Sequence, residues 1–343
     1  MRSARNEIRS AGQPDCIACG AAGKSLHQQL PDRLFSAPGK WNIWTCASEH
    51  CGLLWLNPMP VKEDLGIAYQ QYATHQDPRS EVESSLAKGA RLKAVLRSVV
   101  RKDPMDIFGS RRFARDIKNH SSMHLAGLRP GKLLEIGPGT GENLRAMKDW
   151  GWDTQGVDID PAAVENARSK GLKVDLGFLE EQNYPSSFFD AVVSLHSLEH
   201  IPDPVATVAE CVRILRPGGK LVIVTPNSAS FGHRLFSSCW SPLDPPRHLY
   251  VFNAKSMRKL MDKAQVTNVT VYTTLRDAAQ VFSSSFGIWR SGKFALDSQP
   301  SAVWVSLSKM YQALVNSLMR YDDLVGDELV VIADIGEVGS AAS

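Results

Sequence analysis

Residues 133–141 read Leu-Leu-Glu-Ile-Gly-Pro-Gly-Thr-Gly, an apolar run that leads into Gly137, Gly139 and Gly141. The residues that follow, 142–147, are typical of the start of a helix. Glycines permit the backbone angles of a tight turn and let a ligand lie against the main chain. A helix start adds unpaired N–H groups and the positive end of the helix dipole. The stretch therefore predicts a strand, a turn and a helix that bind a nucleotide-like ligand.

The chain after residue 129 alternates between strand-like and helix-like patterns. Strands are predicted at residues 132–137, 154–160, 173–178, 189–195, 220–225, 266–275 and 327–334. Asp160 precedes Pro161 and is expected to cap a helix. Alternating strands and helices predict an α/β fold, a Rossmann-like and mostly parallel sheet with helices on both faces.

Four of the six cysteines lie near the N-terminus, as Cys16-x2-Cys19 and Cys46-x4-Cys51. Two such pairs joined through short strands are typical of a zinc ribbon, in which thiolates hold Zn²⁺ tetrahedrally. In a reducing compartment, paired cysteines indicate a metal more often than a disulfide. The wider second spacing leaves His50 as an alternative to Cys51 for the fourth ligand.

Composition is that of an ordinary globular protein, with 343 residues, 43% of them apolar, and a net charge of +3. Such a small charge does not mark the whole molecule as a nucleic-acid binder. No apolar run reaches the length of a membrane span, and the N-terminal residues lack the apolar core of a signal peptide. The expected location is therefore the cytoplasm.

Three regions are predicted: a zinc-ribbon region at residues 1–75, a helical linker or cap at 76–128, and an α/β domain at 129–343. That domain is expected to carry a helical insertion at about residues 277–326. The linker is rich in Lys and Arg, which suits either a solvated helix face or a phosphate- or RNA-binding face.

The pattern Glu-x-Gly-x-Gly-x-Gly after an apolar strand resembles motif I of class I S-adenosylmethionine-dependent methyltransferases. The resemblance implies a seven-stranded sheet whose last strand runs antiparallel. It also implies that Asp158 binds the ribose and that Ile159 packs on adenine, while the expected acidic contact to adenine is replaced by Phe178. The implied cofactor residues are Glu135, Gly137, Gly139, Gly141, Asp158, Ile159, Leu179 and Leu195.

Residues 195–204 are similar to a segment of the ubiquinone-biosynthesis O-methyltransferases. Their Glu-His pair, here Glu199-His200, can hold a divalent metal or support the substrate, but His196 replaces a further Glu of that subgroup. Residues 244–252 resemble the family's Asp-x-Pro-Arg-His-Leu segment, which lies over the acceptor. We therefore predict His248 as the residue that orients or deprotonates the acceptor, with His196 and His200 as the next candidates.

The ribbon, with the Pro-x-Pro of residues 58–60, is similar to that of many bacterial methyltransferases of small-molecule and surface-polysaccharide pathways. The resemblance implies methyl transfer from S-adenosylmethionine to oxygen or nitrogen of a small-molecule, sugar or lipid-linked acceptor. One alternative is an rRNA or tRNA base methyltransferase that uses the ribbon and the basic helices. Another is a non-catalytic binding module of the same fold.

Overall fold

The computed structural model describes residues 7–69, 110–294 and 302–336. We call residues 7–69 the ribbon and the described residues from 110 onward the body. The ribbon strands are β1 (Ser10–Ala11), β2 (Gly23–Leu30), β3 (Trp41–Cys46), β4 (Leu54–Leu56) and β5 (Met59–Pro60). A 3₁₀ stretch at Lys62–Tyr69, which we call the roof segment, ends the ribbon.

The body alternates helices and strands, as predicted. Its helices are α1 (Ser110–Ser121), α2 (Glu142–Asp149), α3 (Pro161–Ser169), α4 (Pro204–Ile214), α5 (Phe231–Phe236), α6 (Ala254–Lys263), α7 (Ala278–Ser291) and α8 (Ala302–Leu318). Its strands are β6 (Lys132–Ile136), β7 (Asp153–Asp158), β8 (Val174–Leu176), β9 (Phe189–Leu195), β10 (Leu215–Pro226), β11 (Tyr250–Val251), β12 (Val269–Thr274) and β13 (Glu328–Asp334). In the part of the chain that the structure describes, no helix combines the length and apolarity needed to span a bilayer.

Seven strands form the central sheet, in the order β12-β13-β10-β9-β6-β7-β8. The pairs β10–β9, β9–β6, β6–β7 and β7–β8 are parallel, and β13 lies antiparallel between β10 and β12. Successive residues of β10 enter opposite cores, Leu221 in one cluster and Val222 in another. The predicted mostly parallel sheet, buried on both faces, is confirmed.

Local signals set several element ends. The Asp160 side chain accepts a hydrogen bond from the Ala162 N–H, so it caps α3 as predicted. Strand β10 begins at Leu215, five residues before the predicted start at 220. Leu215 already pairs with Phe189 on β9, and an irregularity then precedes Lys220. Residues 216–219 therefore form an irregularity within a longer strand.

The ribbon and the body share a sheet. The ribbon sheet has the order β11-β4-β3-β2, and its edge strand β11 comes from the body. Tyr250 pairs with Trp55, and their apolar side chains belong to one continuous core. The predicted boundary near residue 75, and most of the predicted linker at 76–128, lie outside the described residues. That division of the chain stays a prediction.

Candidate functional site

The glycine-rich turn connects β6 to α2. Gly137, Gly139 and Gly141 all have positive φ, at 69°, 53° and 76°. A Cβ on Gly137 would lie 2.6 Å from the Ser197 Cβ, and one on Gly141 would lie 2.4 Å from the Leu172 Cδ1. The turn therefore requires glycine for its backbone angles, and two of its positions also require it for space.

Asp158 ends β7 beside this turn. Its Oδ2 accepts a hydrogen bond from the Gly139 N–H at 3.0 Å, and its Oδ1 accepts one from the Asp160 N–H at 2.9 Å. The carboxylate is buried, and burial raises its pKa. Each oxygen keeps a further lone pair, so the group is held in place with capacity to accept more hydrogen bonds.

Glu135 lies on β6 and is almost fully buried. Its Oε1 accepts a hydrogen bond from the Asn143 Nδ2 at 3.2 Å, whereas its Oε2 has no partner among the described residues. Burial raises the pKa of Glu135 to about 7. A buried carboxyl oxygen without a partner is costly, which indicates a ligand or water contact at this position.

A pocket of about 780 Å³ opens at the carboxyl ends of β6, β7 and β9. This is the edge where open α/β sheets bind ligands. Six of the predicted cofactor residues line it: Gly137, Gly139, Asp158, Ile159, Leu179 and Leu195. Gly141 instead forms the N-cap of α2.

The opposite side of the pocket comes from the roof segment, which contributes Lys62, Glu63, Leu65, Gly66 and Tyr69. Lys62 Nζ lies 4.0 Å above the Phe178 ring centroid and 2.7 Å from the Glu181 Oε1. Sequence reasoning assigned no cofactor role to these residues. Because they lie far from the glycine turn in the chain, their sequence carries no local signal for such a role.

Two of the three predicted catalytic histidines, His196 and His200, line the pocket. The Nδ1 of His200 is 2.9 Å from the Tyr69 hydroxyl and 3.0 Å from the Arg247 carbonyl oxygen. Burial, together with the nearby His248, lowers the pKa of His200 to about 4. His200 is therefore a neutral imidazole at neutral pH.

His248 lies behind His200 rather than in the pocket wall. The two rings meet edge to face, with centroids 4.6 Å apart. His248 Nδ1 is 2.7 Å from the Pro242 carbonyl oxygen, so this nitrogen donates. His248 is not among the residues that line the pocket but is in contact with one that does, and its predicted role at the acceptor stays a prediction.

His196 occupies the position at which the resemblance led us to expect a further Glu. Its Nδ1 lies 3.7 Å from Glu199 and its Nε2 lies 2.8 Å from Glu328. Burial alone would lower the pKa of His196, but Glu199 and Glu328 outweigh it and raise the pKa to about 10. Glu199, His200 and His248 offer ligand atoms that lie within 4.8 Å of one another, so a metal role of the Glu199-His200 pair stays a prediction.

The four N-terminal cysteines form a compact cluster in the ribbon. The Sγ atoms of Cys16 and Cys51 are 3.6 Å apart, those of Cys19 and Cys46 are 3.4 Å apart, and all four lie within 4.8 Å of one another. A tetrahedral site with Zn–S bonds of about 2.3 Å has S–S edges of about 3.8 Å. The cluster therefore fits a tetrahedral metal, and its fourth thiol is Cys51, whereas His50 is exposed.

Comparisons with known proteins agree with this geometry. A family model described as "Methyltransferase domain" matches residues 108–271. A probable S-adenosylmethionine-dependent methyltransferase of Mycolicibacterium smegmatis is 34% identical over 134 residues, which are 38% of this chain and 50% of that protein. A ubiquinone biosynthesis O-methyltransferase of Alkalilimnicola ehrlichii is 33% identical over 110 residues, which are 30% of this chain and 44% of that protein.

The chain spans about half the length of these curated relatives. A ubiquinone/menaquinone biosynthesis C-methyltransferase of Laribacter hongkongensis is matched more completely. It is 30% identical over 205 residues, which cover 57% of this chain and 78% of that protein. The chain belongs to the family of S-adenosylmethionine-dependent methyltransferases.

Proposed function

We propose that the protein transfers a methyl group from S-adenosylmethionine to oxygen or nitrogen of a small-molecule, sugar or lipid-linked acceptor. The observation that carries the proposal is Asp158, which the Gly139 N–H holds at the rim of a pocket large enough for a nucleoside. A carboxylate at the end of the second strand of such a sheet can accept hydrogen bonds from both ribose hydroxyls.

The residues around Asp158 suit the rest of the cofactor. Ile159 and Leu179 offer apolar surface for adenine, and the backbone of Gly137 and Gly139 lies open to the amino-acid part. Backbone groups of the glycine turn and the Asp158 carboxylate lie next to one another on the pocket wall, which suits a nucleoside with a polar tail. When bound, S-adenosylmethionine supplies an activated methyl group, and its sulfonium leaves as a thioether.

The protein must then align the acceptor and exclude water. The roof segment covers the pocket from Lys62, beside Phe178, to Tyr69, beside His200. The roof segment thus lies over both the adenine end and the acceptor end of the pocket. Such a cover lowers the access of water to the reacting atoms.

His200 is the residue we propose to receive the acceptor proton. It lines the pocket and is neutral at neutral pH, because burial lowers its pKa. Its Nδ1 faces a carbonyl oxygen, so the lone pair resides on Nε2. The Tyr69 hydroxyl lies 2.9 Å from the same Nδ1 and helps to hold the ring in place. His248, the residue expected to act as base, supports the His200 ring instead.

We also propose that the ribbon holds one structural Zn²⁺ through Cys16, Cys19, Cys46 and Cys51. The distances between the sulfur atoms support this ligand set. Zinc at this position would fix the turns around the two cysteine pairs, which carry the strands that hold the roof segment.

Titration calorimetry with S-adenosylhomocysteine tests the cofactor proposal. The loss of a charge-assisted hydrogen bond costs about 1.5–3 kcal/mol, so Asp158→Ala should weaken binding about 10- to 150-fold. The matched control is Asp153→Ala, because Asp153 is an exposed carboxylate at the opposite end of the same strand. Wild-type protein that binds no S-adenosylhomocysteine, or an Asp158→Ala variant as tight as the control, would show the proposal to be wrong.

A further inference from the structure

Arg247 is a wholly buried cation between the ribbon and the body. Its Nη1 is 2.7 Å from the Asp32 Oδ2, its Nε is 3.0 Å from the Asp244 Oδ2, and its Nη2 pairs with the Asp244 Oδ1. The guanidinium also lies 4.5 Å from the Phe35 ring centroid. It is therefore held on several sides, by groups from both parts of the molecule.

A buried ion pair is weak support for the idea that the group exists for stability, because desolvation offsets much of the attraction. Its geometry is more informative. Asp32 and Phe35 belong to the ribbon, whereas Asp244 and Arg247 belong to the body. The guanidinium also donates to the carbonyl of Ala68 at 3.2 Å, and Ala68 precedes the pocket residue Tyr69.

The backbone of Arg247 reaches the pocket from the other direction. Its carbonyl oxygen is 3.0 Å from the Nδ1 of His200. The neighbouring Leu249 donates its N–H to the Glu199 carbonyl at 2.8 Å and accepts one from Leu56 at 3.0 Å. The chain around Arg247 is thus clamped between the ribbon and the segment that carries His200.

Two groups meet the His200 Nδ1: the Tyr69 hydroxyl, which can donate or accept, and the Arg247 carbonyl oxygen, which can only accept. The carbonyl therefore favours the tautomer with the hydrogen on Nδ1. With the hydrogen on Nδ1, the lone pair is on Nε2. We propose that Arg247 is a positioning residue whose side chain, anchored by Asp32, fixes the carbonyl that selects the His200 tautomer, so that the ribbon forms part of the acceptor site. The chemical meaning of this assignment rests on the proposed methyl transfer, but the tautomer itself is observable without any acceptor.

The test uses the full-length, zinc-loaded protein with ¹⁵N-labelled histidine. The His200 signals are assigned by their loss in His200→Gln. Wild-type His200 should show one neutral form at neutral pH, protonated on Nδ1. If wild-type His200 carries its hydrogen on Nε2, the proposal is overturned, and this result needs no further variant.

Asp32→Asn removes the charge that anchors Arg247 while keeping an oxygen for the N–H groups of Leu34 and Phe35. In this variant the single His200 form should give way to a mixture of tautomers, while affinity for S-adenosylhomocysteine stays unchanged. Asp15→Asn makes the same change at an exposed ribbon carboxylate and should leave the His200 signals as in the wild type.

An unaltered His200 tautomer in folded Asp32→Asn overturns the proposal. If Asp32→Asn does not fold, Arg247→Lys gives the decision, because it keeps the charge but cannot bond to Asp32 and Asp244 at the same time as the guanidinium does. A wild-type tautomer in Arg247→Lys then overturns the proposal as well. Failure of the methyl-transfer proposal is separate, since it appears as an absence of S-adenosylhomocysteine binding in the wild type.

Discussion

The two sides of the pocket are built in different ways. One side, which we call the floor, consists of residues that directly follow β6, β7 and β9. The other side is the roof segment, which belongs to the ribbon and is held by contacts with distant parts of the body. The floor lies at the carboxyl ends of the central strands, whereas the roof is held by Arg247, which donates to the Ala68 carbonyl, and by the ion pair of Arg9 with Asp64. We propose that the roof also depends on zinc in the cysteine cluster.

This difference separates cofactor binding from acceptor handling. Asp158 and the glycine turn, which suit the cofactor, lie on the floor. Tyr69 belongs to the roof, and its hydroxyl lies 2.9 Å from the His200 Nδ1. Changes in the ribbon should therefore affect the acceptor end of the pocket more than its cofactor end. Three experiments test this distinction.

Loss of the metal should have the largest effect. Cys51→Ser removes one thiolate of the cluster, and structural zinc contributes about 10–16 kcal/mol of apparent binding energy in small zinc-dependent peptides. We expect zinc to be lost, residues 7–69 to become sensitive to protease, and S-adenosylhomocysteine binding to weaken but persist through the floor. Elemental analysis, limited proteolysis and calorimetry measure these three outcomes.

The matched control is Cys211→Ser, because Cys211 is equally buried but lies on α4, outside the cluster. It should keep its zinc, and its free energy of unfolding should fall only by the cost of burying one hydroxyl, about 1–3 kcal/mol. Retention of zinc by Cys51→Ser, with unchanged proteolysis, would contradict the dependence of the roof on the metal.

Acid should weaken the contact between the ribbon and the body. This effect should be smaller than that of metal loss and larger than that of a change at Lys62. His27 on β2 faces His233 on α5, with ring centroids 6.0 Å apart. Burial, then the charges of His233 and Arg33, lower the pKa of His27 from 6.5 to about 4. The unfolded chain therefore binds more protons between these pH values, and stability should fall as the pH drops from 6.5 towards 4.

One such histidine changes the free energy of unfolding by at most about 1.4 kcal/mol per pH unit. His27 changes it by less, because its ring is only partly buried and solvent screens part of the effect. Thermal unfolding across this pH range should show a shallower loss in His27→Gln than in the wild type. His50→Gln changes an exposed ribbon histidine and serves as the control. If stability falls with pH equally steeply in His27→Gln and in the wild type, His27 is not the cause of the acid effect.

The smallest effect is expected at the adenine end of the roof. Lys62→Gln removes an exposed ion pair with Glu181, worth about 0.2–1 kcal/mol, and a cation–π contact with Phe178, worth about 0.5–1 kcal/mol. Affinity for S-adenosylhomocysteine should fall about threefold to thirtyfold. Glu181→Gln removes only the ion pair and should cost less, and an equal loss in the two variants would argue against the cation–π contact.

Much of the floor could be predicted because its signals are local. The predicted fourth strand matches β9 at both ends, and Asp158 is the last residue of β7, at the edge of the sheet where ligands were expected. The sequence also assigned the four cysteines to one metal site, with His50 as an alternative to Cys51, because two close cysteine pairs with this spacing are typical of a zinc ribbon. Each of these features needs only a few neighbouring residues to be recognised.

The roof could not be predicted in this way. The contact of Tyr69 with His200 joins residues 131 positions apart, and the Arg247–Asp32 pair joins residues 215 positions apart. The sequence also did not indicate that the His248 Nδ1 would bond to the carbonyl oxygen of Pro242 or that its ring would pack against His200. Such outcomes depend on how the ribbon packs on the body, for which periodicity and spacing give no sign.

The edge strand β11 has a consequence for how the chain is made. The ribosome releases the ribbon first, but the Asn253 side chain that binds the Gly52 carbonyl emerges 201 residues later. At about 5–20 residues per second, the nascent ribbon waits roughly 10–40 s for its last strand. During that interval β4, including Trp55, presents an unpaired edge to other chains. Under the proposed zinc site, metal bound early would keep the two cysteine turns folded during this interval, so a rapid supply of zinc is expected to raise the yield of folded protein.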